Sequence, residues 1–177
     1  DIASSMPFNP LEGGSPHEVV ERVFASFQFE NEYYRNVQYK LMLMIVQLIH
    51  EKKFTPTFCL VQRLLTDMAA LKLWLKDCQD ENLQRTLTAF SDEPTETRNQ
   101  KISGLDAYLT HFTTGELAAL FNSESKGIRF DEALRQGKIC YFQLPTMMYP
   151  HLAGATGKLA LQSFQSAVAK RHLHFLK

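Results

Sequence analysis

The sequence has few cysteines, no excess of charge of either sign and no long hydrophobic run. Its three cysteines, Cys59, Cys78 and Cys140, are far apart and odd in number, so we expect cytoplasmic thiols rather than a disulfide framework. Basic and acidic residues number 19 each, so the chain has no overall excess of positive charge of the kind that is typical of nucleic-acid-binding proteins. The most apolar run, residues 41–49, is interrupted by Gln47 and is shorter than the roughly 20 residues that span a bilayer. The first residues also lack the basic and apolar stretches of a signal peptide.

What the sequence does contain is the composition of a folded domain. Of its 177 residues, 45% are hydrophobic and 21% are charged, which is ordinary for a globular protein with a sizeable core. Apolar residues recur at helical spacing through most of residues 15–125. We therefore predict a mainly α fold, a helical bundle.

Three local signals place helices within this block. Ser15 is a predicted N-cap, followed by Pro16 at the first helical position and by Glu18, which completes a capping box. A second helix is predicted over residues 32–51, and its second half is apolar nearly all round, so it should lie at the centre of the bundle. Asp67 is predicted to cap a further helix.

Both ends of the chain differ from the helical block. Residues 1–14 read as extended chain and turn, because two prolines disfavour helix there. In residues 126–177, Asp131 is predicted to cap a short helical turn, residues 138–144 form the best predicted strand, and a last helix is predicted from about 150 to 172. Since one strand cannot form a sheet, its partners are expected outside these residues. The two ends are therefore interpreted as a small remnant of an α/β layer whose other strands lie outside these residues.

A glycine-rich stretch near the end resembles part of a phosphate-binding loop. Residues 154–158 read G-A-T-G-K, whereas that loop requires G-x-x-x-x-G-K-[ST] directly after a strand. Leu152 stands where the first glycine should be, and Leu159 stands where the magnesium-binding hydroxyl should be. We expect an ordinary helix whose small residues allow close packing, and no cofactor site.

Catalytic and metal-binding patterns are also lacking. The six histidines have no i, i+4 pairs, and no serine stands in a nucleophile-elbow pattern. We therefore predict no metal and no catalytic site, with an enzyme that uses a pocket invisible to sequence kept as an alternative.

Five basic residues are candidates for a nucleic-acid or partner surface. Phosphate contacts need only a few lysines or arginines on one face, although such residues also occur on any solvated helix. The candidates are Arg85, Arg98, Lys101, Lys170 and Arg171.

Seven segments follow one another in a characteristic order. They are residues 8–11 (F-N-P-L), 15–27, 33–49, 105–121, 127–134, 137–145 and 152–164. In order and spacing they resemble the cytoplasmic motor of TraD/TraG-type conjugative coupling proteins. In that comparison residues 1–14 correspond to the exit from the motor domain, 15–125 to the helical insertion called the all-alpha domain, and 126–177 to the return into a RecA-like motor domain.

The resemblance implies a function for the parent protein and a narrower one for this chain. The family are hexameric ATPases, anchored in the bacterial inner membrane, that recruit the relaxase-bound DNA strand at a type IV secretion channel. This chain would lie between the Walker A and Walker B motifs, in the cytoplasm and without membrane contact, so ATP and magnesium are expected only in the parent. Its own expected partners are DNA, the relaxase or a relaxosome accessory protein, and the rest of the motor domain. The alternative is a free-standing helical adaptor between proteins.

Overall fold

The computed structural model describes residues 4–29, 31–123 and 127–175, and over these residues the protein is mainly helical. The helices of this described part are α1 (Pro16–Ser26), α2 (Glu32–Glu51), α3 (Phe58–Thr66), α4 (Met68–Leu75), α5 (Glu81–Asp92), α6 (Thr95–Thr113), α7 (Ala118–Phe121), α8 (Phe130–Gln136) and α9 (Pro150–Phe175). The prediction of a mainly α fold is confirmed.

The helix starts predicted at Ser15, at residue 32 and at Asp67 are observed. The Glu18 backbone N–H donates to Ser15 Oγ at 3.3 Å, and the Ser15 backbone N–H donates to Glu18 Oε2 at 2.6 Å, which closes the predicted capping box. Asp67 accepts from the backbone N–H of Ala70 at 3.0 Å and caps α4 as predicted. Helix α2 has the predicted bounds. Local hydrogen-bond chemistry therefore fixes where these helices begin.

Helix α2 lies at the centre of the bundle, as its apolar second half predicts. It packs against α1, α3, α5 and α6. Its side chains at Met42, Ile45, Val46, Leu48 and Ile49 have no exposed surface. Because burial of each such side chain stabilises the fold by roughly 1.5–3 kcal/mol, this helix holds the bundle together.

One polar side chain joins the centre of the bundle to its edge. Gln38 of α2 is buried and donates from Nε2 to the backbone carbonyl of Lys101 in α6 at 3.0 Å. Gly104 lies opposite, where an added Cβ would be only 3.2 Å from Gln38 Nε2. The absent side chain at Gly104 is what lets the two helices approach so closely.

The chain enters and leaves the helical block at the same place. The Phe8 N–H donates to the carbonyl of Leu120 at 2.7 Å, and the Ile128 N–H donates to the carbonyl of Pro7 at 2.8 Å. Asn9 adds a bond from its Nδ2 to the carbonyl of Pro56 at 3.0 Å. The two ends are therefore held together by backbone hydrogen bonds.

The strand predicted over residues 138–144 is not formed in the described part of the chain. The segment is extended, but no neighbouring strand pairs with it. A strand needs a hydrogen-bonding partner, which a sequence pattern alone does not supply. The predicted RecA-like remnant thus has no sheet in the described residues.

One smaller prediction was also wrong. Asp131 does not cap α8 but lies inside its first turn, because the helix begins at Phe130, whose ring packs against that of Phe8 with 5.8 Å between the ring centroids. Helix α7 is only four residues long, and Gly115 just before it takes a left-handed conformation with φ of 74° that separates it from α6.

The glycine-rich residues 154–158 lie within α9 and form no loop. An added Cβ at Gly157 would be 3.3 Å from Leu144 Cδ1, whereas one at Gly154 would meet nothing within 4 Å. The close-packing role expected for these small residues therefore holds at Gly157, where it lets residues 138–145 lie against the helix.

Candidate partner-binding edge

The segment of residues 138–145, called the edge segment below, has one side facing the protein and one side facing solvent. It follows Gly137, whose left-handed backbone ends α8, and its first N–H, that of Lys138, donates to the carbonyl of Ala133 at 2.9 Å. Beyond this bond, Cys140, Phe142 and Leu144 are partly buried while the residues between them are exposed. This alternation is that of a β-strand with one covered face.

The exposed side of the edge segment is apolar. Ile139 is 97% exposed and Tyr141 is 82% exposed. Farther along, Met147 and Met148 are 98% and 73% exposed. Large apolar side chains that lie together on a surface mark interaction sites, whereas scattered ones do not.

The backbone of the edge segment is also unpaired. In the residues that the structure describes, no N–H group from 139 to 144 donates a hydrogen bond to another protein group. Backbone donors need a partner, and a row of free donors on an extended segment is a template for a further strand. The exposed apolar side chains and the unpaired backbone N–H groups of the edge segment are thus both available to a partner strand.

The covered side of the edge segment packs on aromatic rings. The Phe142 ring lies 5.3 Å from that of Phe8 in an edge-to-face arrangement and 6.0 Å from that of Phe130. Phe130 also meets Phe164 of α9 at 5.7 Å. Because such pairs stabilise beyond their burial, this cluster fixes the edge segment to the ends of the helical block.

A cleft of about 710 Å³ runs along the edge segment. The wall opposite the edge segment comes from the start of the chain and from helices α7 and α9. It includes Met6, Phe8, Leu120, Phe121, Leu152 and Ala153. An elongated apolar cleft beside free backbone donors suits an extended polypeptide better than a small polar ligand.

Of the five basic residues predicted as a binding surface, Arg98 and Lys101 are brought together at the α5–α6 junction. Lys101 Nζ lies 2.6 Å from Glu93 Oε1, and both side chains are less than one third exposed. Arg98 donates to the carbonyls of Ser91 and Glu93 and to Thr95 Oγ1. These two side chains bind the end of α5 to the start of α6.

The other three basic candidates lie elsewhere. Arg85 is exposed on α5 and donates to Asn82 Oδ1 at 3.1 Å. On α9, Lys170 Nζ lies 3.4 Å from Glu18 Oε1, and Arg171 donates to the carbonyl of Leu134 at 3.2 Å. The candidates are thus divided between the α5–α6 corner and the end of α9.

A buried arginine was missed by the sequence prediction. Arg22 of α1 is 5% exposed and donates to the carbonyls of Pro10, Glu12 and Gly13 at 2.5, 3.3 and 3.0 Å. Burial lowers the pKa of its guanidinium, and the nearby Glu18 carboxylate opposes that shift. The available signal was the turn before α1, whose carbonyls need donors that no helix provides.

Within residues 4–29, 31–123 and 127–175, the remaining cysteines and histidines are not grouped into a reactive centre. The three cysteines are free, and burial is the first cause that raises the pKa of the Cys59 and Cys78 thiols. His111 and His151 bring their rings to 6.4 Å across α6 and α9. Among the described residues there is no group of three or more side chains arranged to hold a metal ion.

Comparisons with known proteins add no relative. No protein-family model, no curated protein and no solved structure matches this chain. In the described part of the chain, none of the helices has the length and apolar character needed to cross a membrane. Over the described residues the protein is mainly helical, and the edge segment is extended without a partner strand.

Proposed function

We propose that this chain is the substrate-recognition domain of a conjugative type IV secretion coupling ATPase and performs no catalysis itself. The observation that carries the proposal is the meeting of the two ends of the helical block beside an unpaired extended segment. A domain inserted into a larger sheet protein leaves its host and returns to it at neighbouring positions. The bonds from Phe8 to Leu120 and from Ile128 to Pro7 have this arrangement.

The edge segment supports the same proposal from its backbone chemistry. Its free N–H groups and its exposed Ile139 and Tyr141 suit a neighbouring strand and a covering layer. In the proposed parent these come from the RecA-like motor domain. That motor domain binds ATP and magnesium, forms the hexamer and is anchored to the bacterial inner membrane, while the helical block stays in the cytoplasm.

The helical block is the part that meets the substrate, either DNA or a relaxase or relaxosome accessory protein. Arg85 is the basic candidate best placed for DNA, because its described bond is only to a neighbouring side chain of the same helix. Arg98 and Lys101 already serve the α5–α6 junction. The formal net charge is zero, so DNA and protein partners are tested side by side.

The test combines gel shifts on single- and double-stranded DNA with pull-downs of relaxase and accessory proteins. Salt is varied, because phosphate contacts give a steep dependence of affinity on ionic strength. We expect binding to at least one of these substrates and no ATP hydrolysis by the chain alone. Failure to bind any of them would overturn the proposal.

A free-standing helical adaptor is the second candidate, because the apolar edge segment would equally serve a separate protein partner. The encoding gene separates the two. A G-x-x-x-x-G-K-[ST] motif upstream and an apolar strand ending in acidic residues downstream are expected for the coupling ATPase. Their absence from the gene would favour the adaptor.

A further inference from the structure

An exposed group of lysines and aromatic rings lies where helices α2 and α4 end. It is called the lysine–aromatic patch below and consists of Lys52, Lys53 and Phe54, which follow α2, and of Leu73, Trp74 and Lys76 at the end of α4. Lys52 Nζ donates to the carbonyl of Lys76 at 2.7 Å, and the centroids of the Phe54 and Trp74 rings are 5.2 Å apart. Two segments that are distant in sequence are thus joined into one surface.

The apolar side chains of the lysine–aromatic patch are exposed. Phe54 is 56% exposed and Leu73 is 61% exposed, while Trp74 is half-buried. The two rings meet at 53° rather than face to face, so more than half of the Phe54 side chain stays open to solvent. Clustered apolar side chains on a surface mark an interaction site, and exposed rings are the groups on which the bases of single strands stack.

The acids near the patch are mostly engaged within the protein. Residues 51–54 and 72–80 contain three acids and four lysines. Glu51 accepts a backbone N–H of the α4–α5 connection at 2.7 Å, and Asp80 accepts one at 3.0 Å as the cap of α5. Asp77 is therefore the one acid of these two segments whose carboxylate has no bonding partner among the described residues.

Three of the four lysines remain available to a partner. Lys72 is engaged, because its Nζ lies 2.7 Å from Asp92 Oδ1. Lys52 uses one of its three N–H donors in the bond to the Lys76 carbonyl. The ammonium groups of Lys53 and Lys76 bond no other group in the part of the chain that the structure describes. Three lysines and one free acid thus accompany the exposed rings, which favours an anionic partner.

We propose that the lysine–aromatic patch binds single-stranded nucleic acid, with a base stacked on Phe54 and Trp74 and phosphates contacted by Lys53 and Lys76. Proteins that bind single strands combine aromatic rings with cations that follow the backbone, and the patch offers both. A duplex fits less well, because its bases are stacked inside the helix. The proposal rests on the function proposed above, in which the helical block meets the substrate, and it assigns single-stranded DNA to this surface.

Trp74 provides a probe for the test, because it is the single tryptophan of the chain and its fluorescence reports on the patch. The whole chain is titrated with a short oligo(dT), and binding is followed in parallel by the anisotropy of a labelled strand. We expect saturable quenching of the Trp74 emission that follows the rise in anisotropy. A duplex of the same length should bind more weakly and quench less.

The stacking role is tested at Phe54. Phe54→Ala removes one ring and should weaken binding of oligo(dT) about tenfold, whereas Phe54→Trp should retain it. Tyr33→Ala is the matched control, because Tyr33 is also exposed and also contacts a neighbouring ring, that of Tyr34 at 5.4 Å. It lies at the start of α2, about 30 Å from the end where the patch lies, and its removal should leave binding unchanged.

The phosphate contacts are tested by salt dependence. Lys76→Gln should lower the slope of log affinity against log salt by about 0.7, which is the contribution of one phosphate contact to a single strand. Lys40→Gln removes the same charge from an exposed position in the middle of α2 and should leave the slope unchanged. Circular dichroism of each variant separates loss of binding from loss of fold.

The results that would overturn the patch differ from those that would overturn the proposed function. Binding of oligo(dT) that leaves the Trp74 emission unchanged, or that Phe54→Ala does not weaken, means that DNA binds elsewhere on the chain. A response of Trp74 to phosphatidylglycerol vesicles but not to oligo(dT) assigns the patch to a membrane surface. Binding of a relaxase or accessory protein without binding of oligo(dT) overturns the patch alone, whereas binding of no substrate overturns both proposals.

Discussion

The backbone N–H of Ile128 donates to the carbonyl of Pro7 at 2.8 Å, which joins two residues on opposite sides of the helical block in sequence. The bond holds the turn before α1 next to the segment that leads into α8. Because the edge segment packs on the same region through Phe8 and Phe142, the candidate interface depends on this closure.

Gly127→Ala should disturb the closure directly. A Cβ at this position would overlap the carbonyl of Pro7, which is backbone and cannot move aside easily. We expect destabilisation of about 1–3 kcal/mol, the usual cost of overpacking, measured by urea unfolding. Gly154→Ala is the control, because a Cβ added at this position in α9 would have no atom within 4 Å. Since alanine has a higher helix propensity than glycine, the free energy of unfolding should stay unchanged or rise by up to about 1 kcal/mol. Equal effects of the two substitutions would contradict the close contact at Gly127.

Tyr141→Glu should separate binding from folding. The side chain is 82% exposed on the edge segment, so the free energy of unfolding should change by no more than about 0.5 kcal/mol. Association with the separately expressed motor domain should fall sharply, since a charge would be placed in an apolar interface. Tyr33→Glu, at a site 68% exposed on α2, is the matched control and should leave association intact. A normal pull-down with Tyr141→Glu would show that the edge segment is not the interface.

Arg85→Gln and Arg98→Gln should act differently although both remove one positive charge. If DNA is the substrate, Arg85→Gln should reduce the slope of log affinity against log salt by about 1, with stability unchanged. Arg98→Gln should instead lower stability by about 1 kcal/mol or more, because its half-buried guanidinium bonds two carbonyls at the end of α5. Gel shifts at several salt concentrations and urea unfolding measure the two effects. A reversed pattern would mean that Arg98 contacts DNA and Arg85 does not.

The capping box should make stability depend on pH through Glu18. The hydrogen bond from the Ser15 backbone N–H is the first cause that lowers the pKa of this carboxyl, and Lys170 adds to it. A carboxyl whose pKa is lower in the folded state contributes stability above its unfolded pKa of about 4.3, and that contribution is lost as pH falls through the folded value. Glu18→Gln should therefore flatten the decline of stability below about pH 4.3. Thermal unfolding between neutral and acid pH measures this, and an unchanged slope would contradict the assignment.

The sequence was most informative where structure is set by neighbouring residues. The cap at Ser15 and the bounds of α2 follow from hydrogen bonds and apolar spacing within a few residues. It was less informative where the outcome depends on distant partners. Residues 138–144 have strand character but no partner strand in the described residues, and Asp131 lost the capping position because Phe130 joins an aromatic cluster.

The candidate sites also divide into features set by neighbouring residues, which the sequence predicts, and features set by distant contacts, which it does not. The edge segment was recognisable as an incomplete strand, and its exposed face is a property of that pattern. The sequence identified the basic candidates but could not separate those available to a partner from those bound within the protein. It does not show that Lys101 is paired with Glu93 while Arg85 is exposed. Arg22 gave no periodic signal, since its role comes from the carbonyls of a turn that folds back over it.

The hydrogen bond from Ile128 to Pro7 also brings together the two residues that flank the helical block. Residues joined through their backbones are about 5 Å apart, a gap that two or three residues of a tight turn can span. A short loop could therefore close the gap, but removal of the block would also remove α1, which packs against α9, and Arg22, which bonds the carbonyls of the turn before α1. The block thus supports the segments on either side of it, and any graft at this point has to keep α1.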